Sequence, residues 1–343
     1  MKPEIKRKEQ QRTRVAKQYI GNLGKVENGI VSVNAYAVIN NMTYPLMFKV
    51  FKPRTRLKSG EQYKTKPQLA LEIVQELIDY GFNIELVLAD SLYGESTELV
   101  ETLAMLKLPF IVSIRSNHVV WLSPGERVRY NRWYAYEQSL SHRPAESRYI
   151  REIIFGKRRE LRYFEITKDD TNPESADTWF IMTNLPGKIQ QTIGNLYSLR
   201  KEIEYGFKQV KNQLGWADFR LTDYNSIERW WEIVFSAYLL VSLQALQFKS
   251  LPINSANHTN LTEESDGISI RQELSQHLEW EQGTNWKSAL NNLRLIIQPY
   301  IFWCLIEPWL KVFHIPGLRQ KFLNLIEIMN TFQGYPITYT AAI

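Results

Sequence analysis

The chain has 343 residues, of which 44% are hydrophobic and 13% aromatic, and its formal net charge at pH 7 is +6. This length exceeds that of most single domains and the composition supplies a sizeable core. We therefore expect two compact units, or one unit with a large insertion, and exclude a largely disordered chain. The single cysteine, Cys304, excludes an internal disulfide, and the five scattered histidines lack a zinc-binding spacing. A reducing, cytoplasmic compartment fits this composition.

Positive charge is concentrated at the beginning of the chain. Residues 1–20 hold seven lysines and arginines against two glutamates. A basic segment of this kind suits a polyanion such as nucleic acid, although a solvated flexible end explains it equally well.

The first predicted elements are a hairpin and a helix. Residues 29–51 are rich in β-branched and aromatic side chains on both sides of the turn at Asn40–Asn41, which predicts a β-hairpin. Apolar residues at helical spacing then predict a helix that begins at Pro67 and ends near Gly81.

A strand, a helix and a second strand follow. A short apolar strand ends on Asp90, a helix is predicted over about Ser96–Leu106, and a second buried strand covers Pro109–Ile114. Because a crossover helix between neighbouring strands favours parallel pairing, this order predicts an α/β core with the hairpin at one side.

From about residue 117 to residue 186 the pattern changes to alternating strands. Arg148–Ile166 alternates like a hairpin around Gly156, and Thr178–Leu185 is a further strand after a polar loop. We predict that 117–186 is an antiparallel insertion between two parts of the core.

Two helices are predicted after the insertion. Asn195–Gly215 is amphipathic, and Ile233–Phe248 is the most apolar segment of the chain. At 16 residues, Ile233–Phe248 is shorter than the ~20 residues that cross a bilayer. We therefore expect a buried core helix and no membrane partner.

The last part of the chain is predicted to be a linker and a helical tail. Asn254–Gly267 is polar and has the composition of a linker, and the Trp-rich segment Glu279–Phe313 is predicted to be helical. Pro299 and Pro308 lie inside that segment, so its helix is expected to be kinked or broken.

An aromatic ring, a carboxylate and two cations share one face of the predicted helix Asn195–Gly215. At about 100° per residue, Tyr197, Arg200, Glu204 and Lys211 fall within an arc of roughly 60°. A charged arc on a helix is usually solvated. Here a separate apolar stripe can bury the other side, which leaves this arc able to face a cleft.

Asp90 is the second candidate carboxylate. It ends an apolar strand, and ligands gather at the carboxyl ends of strands in open α/β sheets. Alternatively, Asp90 only caps the next helix through its side-chain oxygen. Together with Glu204 it would supply two hard oxygen ligands, which suit Mg²⁺.

These residues resemble the DDE transposases of bacterial insertion sequences, whose catalytic core has the RNase H-like fold. One branch of that family marks its third carboxylate with Tyr, two residues, Arg, three residues, Glu, six residues and Lys. Tyr197, Arg200, Glu204 and Lys211 have this spacing. The segment LVLADSLYG around Asp90 is similar to the family's second carboxylate segment.

The resemblance implies a chemistry and a set of partners. Asp90 would be the second catalytic carboxylate and Glu204 the third, with Mg²⁺ or Mn²⁺ as cofactor and in-line displacement at a DNA phosphodiester as the reaction. Arg200 and Lys211 would contact phosphate and Tyr197 would brace the strand end, although all three can instead have structural roles. The implied partners are double-stranded DNA, as transposon end and target, and a second copy of the chain.

The family's first catalytic aspartate has no counterpart here. Ala16–Tyr36 is similar to the family's segment just after that aspartate, yet the first aspartate of this chain is Asp79, on the helix after the hairpin. We expect a truncated gene copy or a late start codon that omits the first strand. The sequence therefore predicts little or no strand cleavage by this chain alone.

Two stretches of the insertion interleave cations with aromatic rings. Trp133 or Trp121 is a candidate for stacking on an unpaired base, and Arg158 and Arg159 are candidates for phosphate contact. Alternatively, these aromatic residues form the insertion's own small core.

The sequence thus predicts an α/β fold: an RNase H-like mixed sheet flanked by helices, with an antiparallel β-rich insertion and a C-terminal helical tail. The predicted parts are a basic leader (1–20), the first part of the core (21–116), the insertion (117–186), the second part of the core (187–250), and a linker with the tail (251–343). The predicted function is metal-dependent DNA cleavage and strand transfer by an incomplete transposase. The alternatives are a non-catalytic DNA-binding remnant that modulates an intact transposase and a membrane-associated protein. The expected location is the bacterial cytoplasm, at the nucleoid.

Overall fold

The structure is a computed structural model. Its described residues are 16–20, 25–57, 59–140, 143–173, 177–221, 224–249, 276–283 and 285–331. The chain divides into two compact units, Met1–Tyr238 and Leu239–Ile343. All strands within the described residues lie in the first unit.

The first unit begins with two hairpins. Strands β1 (Ala16–Ile20) and β2 (Lys25–Gly29) pair antiparallel, and so do β3 (Ser32–Ile39) and β4 (Met42–Val50). The turn Asn40–Asn41 has φ angles of 52° and 61°. Two positive φ angles match the twist of a tight two-residue hairpin, in which asparagine is favoured. The predicted hairpin and its turn are confirmed.

Helix α1 (Lys66–Asp79) covers one face of the second hairpin. Thr65 and Gln68 form a capping box at its first turn, where each side chain bonds the other residue's backbone N–H. The buried side chains of α1 pack against Val33 of β3. These buried side chains are Leu69, Ile73 and Leu77. The helix predicted between Pro67 and Gly81 is confirmed.

Seven strands form the central sheet. They are β5 (Val87–Ala89), β6 (Phe110–Ile114), β7 (Val128–Tyr130), β8 (Tyr134–Leu140), β9 (Arg143–Phe155), β10 (Arg162–Thr167) and β11 (Trp179–Thr183). Their order is β5-β6-β11-β10-β9-β7, and β8 also pairs with β9. The β5–β6 pair is parallel, as predicted, and the other pairs are antiparallel.

Helices cover both faces of this sheet. Helices α2 (Ser91–Gly94) and α3 (Thr97–Met105) connect β5 to β6, and α3 buries Leu99 and Leu103 against one face. On the other face, α4 (Ile193–Ser198) packs with the aliphatic and aromatic side chains of β6, β10 and β11. The mixed sheet flanked by helices confirms the predicted α/β fold class.

The strands of the predicted insertion continue the core sheet. Strand β11 pairs with β6, where Ile181 lies opposite Ser113, and β10 then pairs with β11. Gly156 has a φ angle of 70° in the turn after β9, which confirms the predicted turn position. The antiparallel strands therefore share one hydrogen-bonded sheet with the parallel pair.

The prediction of one helix over Asn195–Gly215 is wrong at Leu199. Helix α4 ends at Ser198 and α5 begins one residue later, as Arg200–Gln213. The Ser198 hydroxyl donates to the carbonyl of Asn195 at 2.6 Å, and this type of back-bonding bends helices. The N–H of Leu199 bonds Leu196 three residues earlier, which tightens the turn.

Helices α5 and α6 (Tyr224–Lys249) meet the other face of the second hairpin. The Tyr36 ring lies 5.1 Å from the Phe207 ring of α5. The Thr43 hydroxyl and the Tyr238 hydroxyl are 2.5 Å apart in a buried hydrogen bond. The helix predicted at Ile233–Phe248 is confirmed as part of α6, whose residues up to Tyr238 belong to the first unit.

The second unit contains two long helices, α7 (Trp286–Val312) and α8 (Leu318–Thr331). The tail helix was expected to be kinked or broken at its prolines, and a break is wrong, because α7 runs through both Pro299 and Pro308. Each proline removes a single N–H donor, and the remaining backbone bonds of this 27-residue helix hold it together. The predicted linker Asn254–Gly267 lies outside the described residues.

One helix of the described residues is long and apolar enough to cross a membrane. It is α7, with a mean hydropathy of 1.2 in its most apolar window. Core helices pass the same test but are mostly buried, whereas 11% of this window is buried; a single helix of this kind is weak evidence for a membrane span.

Candidate active site

Asp90 lies at the carboxyl end of β5 and caps α2. Its Oδ1 accepts a hydrogen bond from the N–H of Leu92 at 2.9 Å, and the residue is exposed. The strand-end position and the capping role that the sequence offered as alternatives therefore coexist. Helix α2 lies directly on β6, because a Cβ at Gly94 would collide with the Ser113 carbonyl. This close contact fixes where the Asp90 carboxylate stands.

Tyr197 lies near the end of α4 and lines the cavity described below. Its side chain is buried, and its hydroxyl is hydrogen-bonded to Ser113 and Arg200. Burial raises the pKa of Tyr197, while Arg200 and the hydrogen bonds partly oppose that shift. The hydroxyl is therefore neutral at physiological pH and can donate a hydrogen bond.

Arg200 is ion-paired with one candidate carboxylate and lies near the other. Its Nη2 lies 2.6 Å from Glu204 Oε1, one helical turn further along α5. Burial acts to lower the pKa of Arg200, but Tyr197, Glu204 and Asp90 raise it overall. Asp90 therefore lies near Arg200, which is ion-paired with Glu204. The Nε of Arg200 is buried and makes no hydrogen bond to the described residues.

A cavity of about 290 Å³ is lined by Arg200 and by Ser91, the residue after Asp90. Its lining contains two cations, four hydroxyl side chains, three aromatic rings and one aliphatic residue, and no carboxylate. These are Arg200, Lys201, Ser91, Ser113, Ser116, Thr178, Trp179, Phe180, Tyr197 and Ile114. Donors and positive charge without an acid favour an anion, and phosphate is the obvious match.

Cations also surround one wall of that cavity. The Trp179 ring has Lys201 Nζ at 4.1 Å and Arg148 Cζ at 4.1 Å from its centroid. Cations over an indole face are attracted by its π electrons. The ring therefore holds positive charge beside the cavity, although Arg148 itself is buried and paired with Glu146.

Two lysines complete the description of the site. Lys211 is half-buried further along α5, with its Nζ 5.8 Å from the Phe207 ring centroid, and burial lowers its pKa. It does not line the cavity. The sequence analysis missed Lys66, the first residue of α1. Burial lowers the pKa of Lys66 and the nearby charge of Asp90 opposes that shift, so this lysine lies close to the candidate site.

The sequence also missed Lys201 and Trp179. Lys201 directly follows Arg200, and Trp179 begins β11, so neither stands at a spacing that marks a site by itself. Only the meeting of β6, β11 and α5 brings them to one cavity.

The carboxylates of the site number two. Within the ranges that the structure describes, no group of three or more His, Cys, Asp or Glu side chains could hold a metal ion. Asp90 and Glu204 are hard oxygen donors that both lie near Arg200. Mg²⁺ is commonly held by one or two carboxylates, with phosphate and water as its other ligands. The donor chemistry of Asp90 and Glu204 therefore fits one divalent ion.

The four residues of the insertion that the sequence proposed for DNA contact do not line the cavity: they are Trp121, Trp133, Arg158 and Arg159. Trp133 is half-buried and stacks with Arg151, whose Cζ is 4.2 Å from the ring centroid. Arg158 is exposed and pairs with Glu152 at 3.1 Å. Arg159 donates to the Trp121 carbonyl at 2.6 Å and pairs with Glu126 at 3.4 Å. The Trp121 side chain is 85% exposed.

The chain is similar to proteins that act in DNA transposition. A family model described as DDE superfamily endonuclease matches residues 5–149, which include Asp90 and end before Tyr197. A probable transposase for insertion sequence element IS701 from Microchaete diplosiphon is 50% identical over 215 residues. That match covers 62% of this chain and 57% of the relative, so it spans little more than half of the relative's length.

Proposed function

We propose that this chain, which is related to the DDE-type transposases of bacterial insertion sequences, binds the end of its DNA element and presents a phosphodiester to Asp90 and Glu204. The proposal rests on the surroundings of Arg200. The charges of Glu204 and Asp90 both act to raise its pKa, and it lines a cavity that has cations and hydroxyls but no acid. A phosphate in that cavity would meet Arg200, the ion-pair partner of Glu204.

Arg200 is the proposed phosphate ligand. A guanidinium binds phosphate through two parallel N–H donors, and Arg200 Nε is a buried donor that makes no hydrogen bond to the described residues. Binding a phosphate oxygen there would satisfy the buried donor. It would also loosen the present pair with Glu204, which frees that carboxylate for a second partner.

Tyr197 and the two lysines have supporting roles in the proposal. The neutral Tyr197 hydroxyl, already bonded to Ser113, would donate to the strand end and hold it against β6. Lys201 would add positive charge within the cavity. Lys211 lies seven residues beyond Glu204, which is about 10 Å along a helix, so it would contact a phosphate further along the strand.

Asp90 and Glu204 would hold a divalent ion, Mg²⁺ or Mn²⁺. When bound, such an ion polarises a phosphoryl oxygen as a Lewis acid. Before phosphate binds, the chain itself holds both carboxylates: Asp90 through its hydrogen bond from the Leu92 N–H and Glu204 through its ion pair with Arg200.

Two carboxylates are fewer than the three that the family resemblance implies. Since the described residues add no third acid to Asp90 and Glu204, we infer that this chain by itself gives little or no strand cleavage. The same observation favours a second function, in which the chain binds transposon-end DNA and modulates an intact transposase. Both functions place the protein in the bacterial cytoplasm at the nucleoid.

Contact with double-stranded DNA outside the cavity is assigned to the segment 117–186. Arg158 is 63% exposed and can exchange its partner Glu152 for a phosphate, whereas Arg159 is more deeply held. Trp121 is the exposed ring that could stack on an unpaired base, and Trp133 could do so only where Arg151 leaves part of its face open. A homodimer in the DNA complex is part of the proposal and follows from the family resemblance.

DNA binding and cleavage test the two functions together. The full chain is incubated with a labelled transposon end in Mg²⁺ or Mn²⁺, and binding and nicking are both measured. We expect salt-dependent binding that weakens about tenfold or more in Arg200→Gln, because a buried charge-assisted contact is lost. Lys287→Gln, the same charge change at an exposed position of α7, is the control and should bind like the wild type.

Cleavage distinguishes complete from incomplete catalysis. Robust nicking that disappears in Glu204→Gln would contradict the proposed incomplete carboxylate set while supporting the site. Absence of any preference for the transposon end over unrelated DNA would contradict both functions.

A further inference from the structure

A buried charge cluster lies on the face of the sheet that carries α4. Glu152 of β9 and Arg162 of β10 are 1% and 8% exposed, and Arg162 Nε donates to Glu152 Oε1 at 2.9 Å. Oε2 of Glu152 accepts from three further side chains: Arg158 at 3.1 Å, Asn131 at 3.2 Å and Gln190 at 3.3 Å. A buried carboxylate with four donors is satisfied, whereas removing one partner of a buried pair strands the other charge.

This cluster holds the connection between β11 and α4. Arg162 Nη1 donates to the carbonyl of Gly187 at 2.7 Å and to that of Leu185 at 3.4 Å. Gln190, on the same connection, bonds Glu152. Three positions within six residues are therefore tied to one ion pair in the sheet.

The tied segment also starts the helix. The carbonyl of Ile189 accepts from the N–H groups of Thr192 and Ile193 at 3.0 and 2.8 Å, which closes the first turn of α4. That helix lies close against β8, since a Cβ at Gly194 would be 2.7 and 2.8 Å from two ring carbons of Tyr136. A shift of the connection therefore moves α4, and with it Tyr197 and the start of α5.

We propose that Arg162 and Glu152 are positioning residues: by clamping residues 185–190 they set where α4 and α5 present Tyr197, Arg200 and Glu204. Both are too buried to touch DNA. The clamp itself is independent of function, and its meaning for a metal or phosphate site rests on the function proposed above.

A substitution can distinguish the two roles of Arg162, which are to pair with Glu152 and to hold the carbonyls of Leu185 and Gly187. Lysine keeps a positive charge for the buried carboxylate but is a point charge without the planar fork, so it cannot also hold two carbonyls. Arg162→Lys should therefore preserve the sheet and release residues 185–190. Gln190→Leu removes only the hydrogen bond from Gln190 to Glu152 and is the milder variant, should Arg162→Lys fail to fold.

The control is Arg151→Met, which breaks a second ion pair of the same two strands and shows what that loss does by itself. Arg151 of β9 pairs with Glu165 of β10 at 2.6 Å, on the same two strands and on the opposite face. It has no hydrogen bond to residues 185–190 among the bonds of the described chain.

Hydrogen–deuterium exchange of the full-length variants tests the clamp. In Arg162→Lys and Gln190→Leu, amides of residues 186–202 should exchange about tenfold faster or more, while those of β6 and β10 keep their wild-type rates. Arg151→Met should leave 186–202 protected relative to the sheet. Wild-type protection of 186–202 in both clamp variants overturns the proposal. So does an exchange rate of 186–202 that rises only as much as the exchange rate of the sheet.

Mn²⁺ titration adds the functional readout. Affinity should fall about tenfold in Arg162→Lys, as is typical when residues that orient metal ligands are altered, and stay unchanged in Arg151→Met. If the wild type binds no Mn²⁺, the proposed function fails while the exchange result still decides the clamp. Unchanged Mn²⁺ affinity beside fast exchange in 186–202 contradicts the positioning role.

Discussion

Replacing Gly94 with alanine tests how tightly α2 is held against the sheet. An added Cβ would lie within the contact radius of the Ser113 carbonyl oxygen, 3.1 Å from its carbonyl carbon and 3.2 Å from Val112 Cβ. Overpacking typically costs about 1–3 kcal/mol, and the upper part of that range applies because the obstacle is backbone that cannot rotate away. Gly→Ala also stabilises by about 0.4–1 kcal/mol through the unfolded chain. We predict a net loss of about 2 kcal/mol in the free energy of unfolding.

The clash also reaches the candidate site. To relieve it, α2 must move away from β6, and Asp90 is the residue that caps α2. A displacement of metal-ligand geometry typically weakens affinity about 10–100-fold, so Mn²⁺ binding should fall by that factor in Gly94→Ala.

Urea unfolding followed by tryptophan fluorescence measures the loss, with an unchanged slope showing that only stability has altered. Gly206→Ala is the comparison and should cost less, since its nearest atoms would be side-chain atoms: the Thr43 and Tyr238 hydroxyl oxygens at 3.2 Å and Thr43 Cβ at 3.7 Å. An unfolding midpoint of Gly94→Ala at or above the wild-type value, with undiminished Mn²⁺ affinity, would refute the close contact between α2 and β6.

Two further predictions concern single interactions. Thr43→Val removes the buried hydrogen bond to Tyr238 and should lower the free energy of unfolding by about 1 kcal/mol. Denaturation of Thr43→Val, Tyr238→Phe and the double variant checks this. If the loss of unfolding free energy in the double variant equals the sum of the two single losses, the two hydroxyls do not share a stabilising bond. For Glu95, burial acts to raise the pKa, but hydrogen bonds from the Arg115 N–H and His118 lower it overall. Its stabilisation is therefore present above its unfolded pKa of about 4.3 and is lost as the pH falls through the lower folded pKa. Glu95→Gln should be less stable than the wild type at pH 7 and equal to it in strong acid; a difference that persists in acid would contradict the assignment.

The elements that the sequence identified are those whose signals are local. Asn40–Asn41 supplies positive φ angles at a hairpin turn, and Thr65 and Gln68 cap α1, so both boundaries can be found without knowledge of tertiary contacts. The parallel pair of β5 and β6 also follows from local order, because the segment between them forms helices that cross over the sheet.

What the sequence missed depends on contacts between distant segments. Ser198 looks like an ordinary helix residue, yet its hydroxyl bonds back to Asn195 and divides the predicted helix. Glu152 looks like a solvated strand residue, yet it is 1% exposed because Arg162 meets it from the next strand. Such burial of charge is visible only when both strands and the connection to α4 are in place.

The candidate site shows the same division. The spacing of Arg200 and Glu204 puts them one helical turn apart, and their ion pair follows from that spacing. That Asp90 stands near the same guanidinium, and that Lys201 and Trp179 share a cavity with it, results from the meeting of β5, β6, β11 and α5.

The measurement that tests the central claim most directly is Mn²⁺ binding to the full chain by calorimetry. The claim is that Asp90 and Glu204 hold one ion together. Asp90→Asn and Glu204→Gln should each abolish the same site, and the double variant should lose no more than either single one. Glu101→Gln, exposed on α3, should bind as the wild type does. Undiminished binding in both single variants, or two independent losses that add, would contradict a shared site.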